Sequence, residues 1–344
     1  MSLKNLSVAI KIPKKYKDKL SNRRINQIFK RFENSFNPSN NFIVAVSGGP
    51  DSMALAFLTK LYSIKHNLNP KYYIVDHKLR EESTTEAIKV RKILKIFKIN
   101  SQILTCKGKK PTNNIQSIAR KKRYDLLFSK CKKLKIANLV LGHHLDDMVE
   151  NFFLRMIRGS GLRGLVSLEE NTLINNINLL RPLLGFNKKD LIFISKNVFN
   201  FYVLDPTNYD VKFNRIKIRN FIKELQSNGL DDKKFLLTID NLKRSNRSLK
   251  YYVEENKNKN SFLNLKKNEL IIKKEFFNNS YEVIFRSMSD QIKLVGMKYN
   301  FVRGKKIDNI IHKIKNNTLI KETLGGCVIK KVNQTVILTK EHQI

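Results

Sequence analysis

A short apolar run, Phe42-Ile43-Val44-Ala45-Val46, ends in Ser47-Gly48-Gly49-Pro50-Asp51-Ser52 and is followed by a second, Met53-Ala54-Leu55-Ala56-Phe57-Leu58. The first run has the pattern of a buried strand and the second that of a helix start. The chain is thereby committed to a strand, a tight glycine turn and a helix N-terminus, a ready cradle for phosphate oxygens. Glycines let backbone N–H groups approach an anion closely, and the helix dipole favours negative charge there. Pro50 suits the first helical turn, where its missing N–H costs nothing. The Walker pattern G-x-x-x-x-G-K-S/T is absent, because no Lys occupies the matching place. Transfer of a γ-phosphoryl group is therefore disfavoured. The plainer alternative is a glycine-rich turn that binds nothing.

From Phe42 onward, strand and helix patterns alternate. Tyr72-Tyr73-Ile74-Val75 is expected as the second strand, Gln102-Ile103-Leu104 as the third and Leu139-Val140-Leu141 as the fourth, ending at Gly142-His143. Ser83-Thr84-Thr85-Glu86 has the spacing of a capping box and opens a helix to about Ile99. Further helices are expected from about Asn114 to Leu134 and from His143 to about Ile157, the latter stopping near Gly159-Ser160-Gly161. Repeated strand–helix units predict an α/β fold with a doubly wound parallel sheet, Rossmann-like, whose ligands sit at the strand C-termini.

Residues 1–40 form a basic N-terminal extension, in which 22–35 is either a short helix or part of a mobile arm. Residues 41–220 hold the strand–helix units, Ser227-Asn228-Gly229 is expected as a hinge, and 228–344 is expected to be a second, mainly helical basic domain. Strand candidates there are Leu270-Ile271-Ile272, Cys327 to Lys331 and Thr335 to Leu338. A chain of 344 residues has room for two domains.

The formal net charge is +38. Such a field attracts polyanions and favours a nucleic-acid partner, although a chain rich in Lys, Asn and Ile also fits a biased genome. Cys106, Cys131 and Cys327 lie far apart and form no C-x-x-C, against both a disulfide framework and a zinc ribbon. No segment approaches a membrane span and no signal-peptide core is present, so a reducing cytoplasm is expected.

Three further clusters carry chemistry. Val75-Asp76-His77-Lys78-Leu79-Arg80 follows the second strand, where Asp76 and His77 can meet a nucleotide or simply cap a helix. Gln116, Arg120, Arg123 and Tyr124 share a predicted helix on which Arg120 offers a fork to a phosphate; a plain basic surface is the alternative. His143, Asp147 and Glu150, spaced by four and three, share a helix face that suits a cation such as Mg²⁺ or a protonated amine; a solvated acidic helix start is the alternative. Zinc on His143 and Asp147 lacks a third ligand at a convincing spacing. Arg155, Arg158, Gly159, Gly161 and Arg163 then form a basic glycine-rich segment suited to a phosphate backbone or to a helix C-cap. Arg181-Pro182-Leu183-Leu184, Asp205-Pro206-Thr207-Asn208, Arg215 and Arg219 follow.

The Ser47–Ser52 loop resembles the pyrophosphate loop of N-type ATP pyrophosphatases, also called PP-loop enzymes. With VDHKLR, AR-x-x-RY, GHHLDDMVE, RGSGLRGL, RPLL and DPTN…R-x-x-x-R it falls in the order found in the bacterial tRNA(Ile)-lysidine synthase family, covering residues 43–219. Thr323-Leu324-Gly325-Gly326-Cys327 is similar to a later family segment. Two positions depart from the pattern: Ile216 follows Arg215 where Asn is usual, and Tyr202 is the nearest aromatic where a Trp is common before DPxN. The chain is also shorter than some members, which suggests that it lacks a large extra C-terminal domain.

The resemblance implies an ATP- and Mg²⁺-dependent ligase. It would join free L-lysine to the cytidine at the first anticodon position of the tRNA(Ile) with a CAU anticodon, through an adenylated tRNA. ATP binding falls to Ser47, Gly48, Gly49, Pro50, Asp51, Ser52, Asp76, His77 and His143, with Asp51 also holding the metal. Catalysis falls to Asp51, Asp147 and Arg120, lysine binding to Asp147 and Glu150, and tRNA binding to Arg155, Arg158, Arg163, Arg215 and Arg219. Which of Asp146 and Asp147 is the base stays open. A homodimer is in part a family expectation. Two rivals are a related tRNA thiolation enzyme, which needs paired cysteines, and a non-catalytic RNA-binding protein that kept the fold.

Overall fold

The computed structural model describes residues 12–38, 40–108, 113–204, 214–264, 269–297 and 302–341. The Asp205-Pro206-Thr207-Asn208 turn and the side chain of Arg215 lie outside the described residues. The chain divides into two units, Met1–Phe235 and Leu236–Ile344.

The first unit begins with two helices, α1 (Lys14–Leu20) and α2 (Arg23–Ser35). Asn22 caps α2 by accepting from the N–H groups of Arg24 and Ile25 at 3.1 and 3.2 Å. Ile25, Ile28, Phe29 and Phe32 form a buried stripe along α2. Tyr16 of α1 stacks on Phe57 at 5.6 Å and donates its hydroxyl to the Phe97 carbonyl at 2.6 Å. The basic extension thus folds onto the core as a helical pair over these residues.

Six strands follow: β1 (Phe42–Val46), β2 (Lys71–Asp76), β3 (Ser101–Thr105), β4 (Asn138–Val140), β5 (Asn171–Ile174) and β6 (Ile177–Leu180). They are ordered β3-β2-β1-β4-β6-β5. All neighbouring pairs are parallel except β5 and β6. Successive residues of β1 serve opposite faces, as strand geometry requires. Phe42 and Val44 pack with Tyr72, Ile74 and Val140 beneath the helices α3 (Pro50–Lys65), α4 (Ser83–Ile96) and α8 (Lys188–Phe199). Ile43 packs with Tyr73, Leu139 and Leu179 beneath Leu127 and Cys131 of α5 (Ile115–Leu134). Helices on both faces make the sheet doubly wound. The strand order turns back between β1 and β4, which is where such sheets open a crevice for ligands.

The hairpin β5–β6 was not expected from the sequence. Asn175 and Asn176 close it, both with positive φ (51° and 61°), as a tight primed turn requires. α6 (Leu145–Ile157), α7 (Leu162–Leu165) and α9 (Asn214–Ser227) complete the unit. The rings of Phe152 and Phe153 on α6 meet Phe221 of α9 and Phe235 of α10 (Asp232–Asn260), which carries the chain across the division.

The second unit is built on an antiparallel sheet ordered β7-β8-β11-β10-β9. Its strands are β7 (Ser261–Asn264), β8 (Glu269–Ile272), β9 (Lys321–Leu324), β10 (Cys327–Val332) and β11 (Thr335–Lys340). It is richer in strand than the three candidates expected, although α11 (Tyr281–Gly296) and α12 (Gly304–Lys315) cover it. Ile272, Phe276, Ile284, Ile292, Ile311 and Ile329 form its core. The Thr323–Cys327 segment is the tight turn between β9 and β10, with Gly325 and Gly326 at φ 64° and 84°. A Cβ on Gly296 would lie 2.1 Å from the Gly325 carbonyl, so backbone packs directly on backbone there. That segment has a structural explanation.

Candidate active site

Parallel strands bring their C-terminal ends to one edge. Ser47 follows β1, His77 and Cys106 follow β2 and β3, and Gly142, His143 and His144 follow β4. Most of the expected site residues of the first unit therefore gather along this edge.

The loop after β1 is organised by Ser52. Its Oγ accepts from the N–H groups of Ser47 and Gly48 at 3.0 and 3.1 Å and donates to the Gly49 carbonyl at 3.0 Å. Gly48 has φ 89°, and a Cβ there would sit 2.7 Å from Val90 Cγ2 and 3.0 Å from Val203 Cγ2. Glycine is required at this position by both conformation and space. The Gly48 carbonyl accepts from Val203 N–H at 2.9 Å, and the Ser195 hydroxyl donates to the Pro50 carbonyl at 2.6 Å. The turn is braced from outside, and the first N–H groups of α3 stay outside the helical ladder, where they suit an anion.

Gly142 lets the end of β4 approach this helix start, since its Cβ would meet the Asp51 and Ser52 backbone at 3.4 Å. α6 starts at Leu145 and not at His143, because His144 is its N-cap. The His144 N–H donates to Asp147 Oδ2 at 3.0 Å, and the Asp146 N–H donates to His144 Nδ1 at 3.2 Å. His143 thus precedes the helix instead of sharing its face.

The sequence reading missed His144, which is the centre of the site. Its Nε2 lies 3.5 Å from Asp51 Oδ2 and 3.6 Å from Asp147 Oδ2, while Nδ1 lies 3.8 Å from Asp146 Oδ1. One imidazole links the phosphate loop to both aspartates of α6. Burial alone would lower its proton affinity. Hydrogen bonding by Asp146 and Asp51 and the charges of Asp147 and Asp51 reverse this and push its pKa up to about 10. The Asp146 N–H at Nδ1 suits a neutral ring, but three carboxylates outweigh that contact. The signal in the sequence was the position of His144 directly before an acidic first turn, the place of an N-cap.

His143 is the opposite case. Burial, then the charges of Arg181, Arg120 and Arg123, hold its pKa well below the usual value, so its imidazole is neutral. Its Nδ1 and the Nε of Arg181 are buried without a hydrogen-bond partner. Arg181 is clamped by the hairpin, donating through Nη1 to the Glu169 carbonyl and Thr172 Oγ1 at 2.7 and 2.8 Å. Arg120 lies exposed on α5, its guanidinium 5.3 Å from the Tyr124 ring.

Asp76 is engaged within the protein. Oδ1 accepts from Lys78 N–H and Ser83 Oγ at 2.9 and 2.8 Å, and Oδ2 accepts from Thr84 Oγ1 at 2.7 Å. The expected capping box at Ser83 does not form, because those hydroxyls turn to Asp76; Glu82 is the N-cap and Glu86 pairs with Arg80 at 2.8 Å. His77 Nδ1 lies 3.7 Å from Cys106 Sγ. Glu150 is buried and ion-paired with Arg219 of α9, which reaches both carboxylate oxygens. Arg155, Arg158 and Arg163 are exposed around the end of α6 and the start of α7. Gly159 there takes φ 67°.

Among the described residues no group of three or more His, Cys, Asp or Glu is arranged to hold a metal ion. Asp51 Oδ1, however, is buried without a partner. A bare carboxylate oxygen beside a phosphate cradle fits Mg²⁺, which takes one or two carboxylates and fills the rest of its shell with phosphate and water. No described helix is long and apolar enough to cross a membrane.

Residues 17–225 match the family model of the PP-loop domain. The chain is 33% identical to the tRNA(Ile)-lysidine synthase of Orientia tsutsugamushi over 89% of its own length and 71% of the relative. It is 31% identical to that of Wolbachia pipientis wMel, over 90% of this chain and 74% of the relative. Among solved structures, the U34-tRNA thiolase NcsA of Methanococcus maripaludis with its 4Fe–4S cluster is similar in fold. Its TM-score is 0.55 at 19% identity, covering 64% of this chain and 79% of that one.

Proposed function

We propose a reaction for this chain on the ground that it belongs to the tRNA(Ile)-lysidine synthase family of PP-loop enzymes. The chain binds the tRNA(Ile) with a CAU anticodon and places the cytidine of the first anticodon position at the sheet edge. Its O2 attacks the α-phosphorus of ATP, the α–β bond breaks and pyrophosphate leaves. The ε-amine of free lysine then attacks C2, the C2–O2 bond breaks and AMP leaves. The product, lysidine, pairs with A and turns a methionine tRNA into one that reads AUA as isoleucine.

The observation that carries this reading is the apposition, through His144, of the phosphate loop and the α6 acids. The Ser47–Ser52 loop suits the departing pyrophosphate. Asp51 would hold Mg²⁺, which offsets charge as the α–β bond breaks. Arg120 is assigned to stabilise charge at the α-phosphate, and neutral His143 to position the nucleotide. Asp147 is assigned as the base that takes a proton from the lysine ammonium before attack. Glu150 and Asp147 are assigned to hold that ammonium, so Arg219 must share Glu150 or leave it. Asp76 and His77 are assigned to the ATP side. Arg155, Arg158, Arg163, Arg215 and Arg219 are assigned to tRNA phosphates, residues 41–220 to catalysis and 228–344 to the tRNA body. A cytoplasmic homodimer is the proposed setting.

The test is to incubate the protein with ATP, lysine and CAU-anticodon tRNA. AMP and pyrophosphate should form only with all three, and mass spectrometry should find one lysine added to one cytidine. ADP as product, or AMP without tRNA modification, rules the reaction out. The rival thiolation chemistry finds little support in three buried free cysteines, of which Cys106 follows β3 at the site edge.

A further inference from the structure

Fifty of the 67 cationic residues are lysines and only seventeen are arginines. Lysine is the compositional default of this chain, so a cluster of arginines is more informative than a cluster of charge. Three arginines fall within nine residues of α2, at Arg23, Arg24 and Arg31, joined by Lys30. A groove of about 690 Å³ runs along this face, lined by Arg23, Arg24, Gln27, Lys30, Arg31 and Asp190. All the α2 side chains among these are exposed.

We propose that this groove on α2 is a docking surface for the phosphate backbone of the RNA substrate, contiguous with the catalytic edge. The proposal rests on the reading of the chain as a tRNA-modifying enzyme.

Two of the arginines are held in place. Arg24 donates to Asp190 at 2.9 Å and lies 4.3 Å from the Phe193 ring; Arg31 is 3.5 Å from the same carboxylate and 4.6 Å from the Phe186 ring. Their side chains nevertheless remain 50% and 55% exposed. A guanidinium has five N–H donors in a rigid fork, so each keeps donors for a phosphate after satisfying Asp190. The single carboxylate explains why these two forks are ordered. It does not explain Arg23 and Lys30, which share the face and form no ion pair with a described residue. Four cations against one carboxylate leave an excess that suits a polyanion.

Position supplies the second argument. Arg31 also donates to the Gly185 carbonyl at 3.1 Å, and the next residue, Phe186, accepts from Leu145 N–H at 3.0 Å. Leu145 is the first residue of α6, directly before Asp146 and Asp147. The groove is therefore one loop away from the carboxylates at which the target nucleotide is placed. A strand entering the site continues over α2, where phosphate contacts fix register without reading sequence. Guanidinium forks suit the bidentate geometry of phosphate oxygens.

The test uses the full chain, an in vitro transcript of the CAU-anticodon tRNA, and the double variant Arg23→Glu, Lys30→Glu, which touches neither Asp190 nor the catalytic residues. The slope of log affinity against log salt should become shallower by about two. The KM for tRNA should rise by about tenfold, two lost contacts at physiological salt, while the KM for ATP and the melting temperature stay put. The milder pair Arg23→Gln, Lys30→Gln should move the same two quantities in the same direction by less. Unchanged tRNA KM and salt slope in both variants overturn the proposal. So does a loss of binding to anionic phosphatidylserine vesicles or to an acidic peptide with tRNA binding intact. A wild-type protein that binds tRNA through this face yet forms no AMP overturns the lysidine reading and leaves the surface standing.

Discussion

Arg219 of α9 reaches back across sixty-nine residues of sequence to hold both oxygens of Glu150, a carboxylate buried on α6. The partners are unequal: the Arg219 side chain is 31% exposed and that of Glu150 only 7%. An arginine left alone can turn to water, whereas a buried carboxylate cannot.

Removing the two partners should therefore have unequal effects. Arg219→Ala strands a buried charge and should cost about 3 kcal/mol or more of stability, the low end for breaking a buried pair. Glu150→Ala should cost less, and Arg219→Met with Glu150→Met should recover much of the loss. Chemical denaturation followed on the first unit checks the order. Equal losses from the two alanine variants would show that the pair is effectively solvated.

Gly48→Ala should impair both folding and ATP use. The new methyl meets Val90 and Val203 at a backbone φ of 89°. Strain of this kind costs of order 1–3 kcal/mol. Adding Val90→Ala should relieve the clash but not the φ strain, so pyrophosphate release should recover only in part. Full recovery in the double variant would place the whole defect in packing.

Asp147→Asn keeps the shape of the site and removes the proposed base. Lysidine formation should fall by about 10²-fold or more, the usual share of a general base. tRNA affinity by filter binding should stay within about twofold, since one charge among many phosphate contacts is altered. Normal turnover in this variant would move the role to Asp146.

His144 should lend stability with a definite sign. Its folded pKa is pushed up to about 10 by the carboxylates around it. The ordinary value is about 6.5. The stabilisation is then complete below about pH 6.5 and disappears as pH rises through about 10. Melting temperatures of the wild type and His144→Gln should lie farthest apart at and just below about pH 6.5 and converge by about pH 10.5. A gap that ignores pH would mean a neutral ring, held by the Asp146 N–H at Nδ1.

Much of the first unit was legible because its signals are local. Alternating apolar runs mark β1, β2 and β3 to within about a residue, and the glycine turn after β1 needs no tertiary information. The hairpin β5–β6 was harder, because each strand has four residues and its only loud signal is Asn175-Asn176. Partner choice was not legible at all. Ser83 and Thr84 have the spacing of a cap, yet they turn to Asp76 because a buried carboxylate demands donors more strongly than a frayed helix start does. His143 and His144 are identical in type and adjacent. Only the direction of the backbone at the end of β4 decides that one sits among arginines and the other among carboxylates. Glu150 and Arg219 carried separate assignments because nothing local joins them.

Tyr16 has a practical consequence for recombinant work. It is buried under α3 and tied to the Phe97 carbonyl, one residue ahead of the stretch that family similarity picks out, 17–225. A gene fragment trimmed to the similarity boundary would discard that ring and leave Phe57 and Phe97 without their cover. Fragments meant for crystallisation or spectroscopy should open upstream of Pro13.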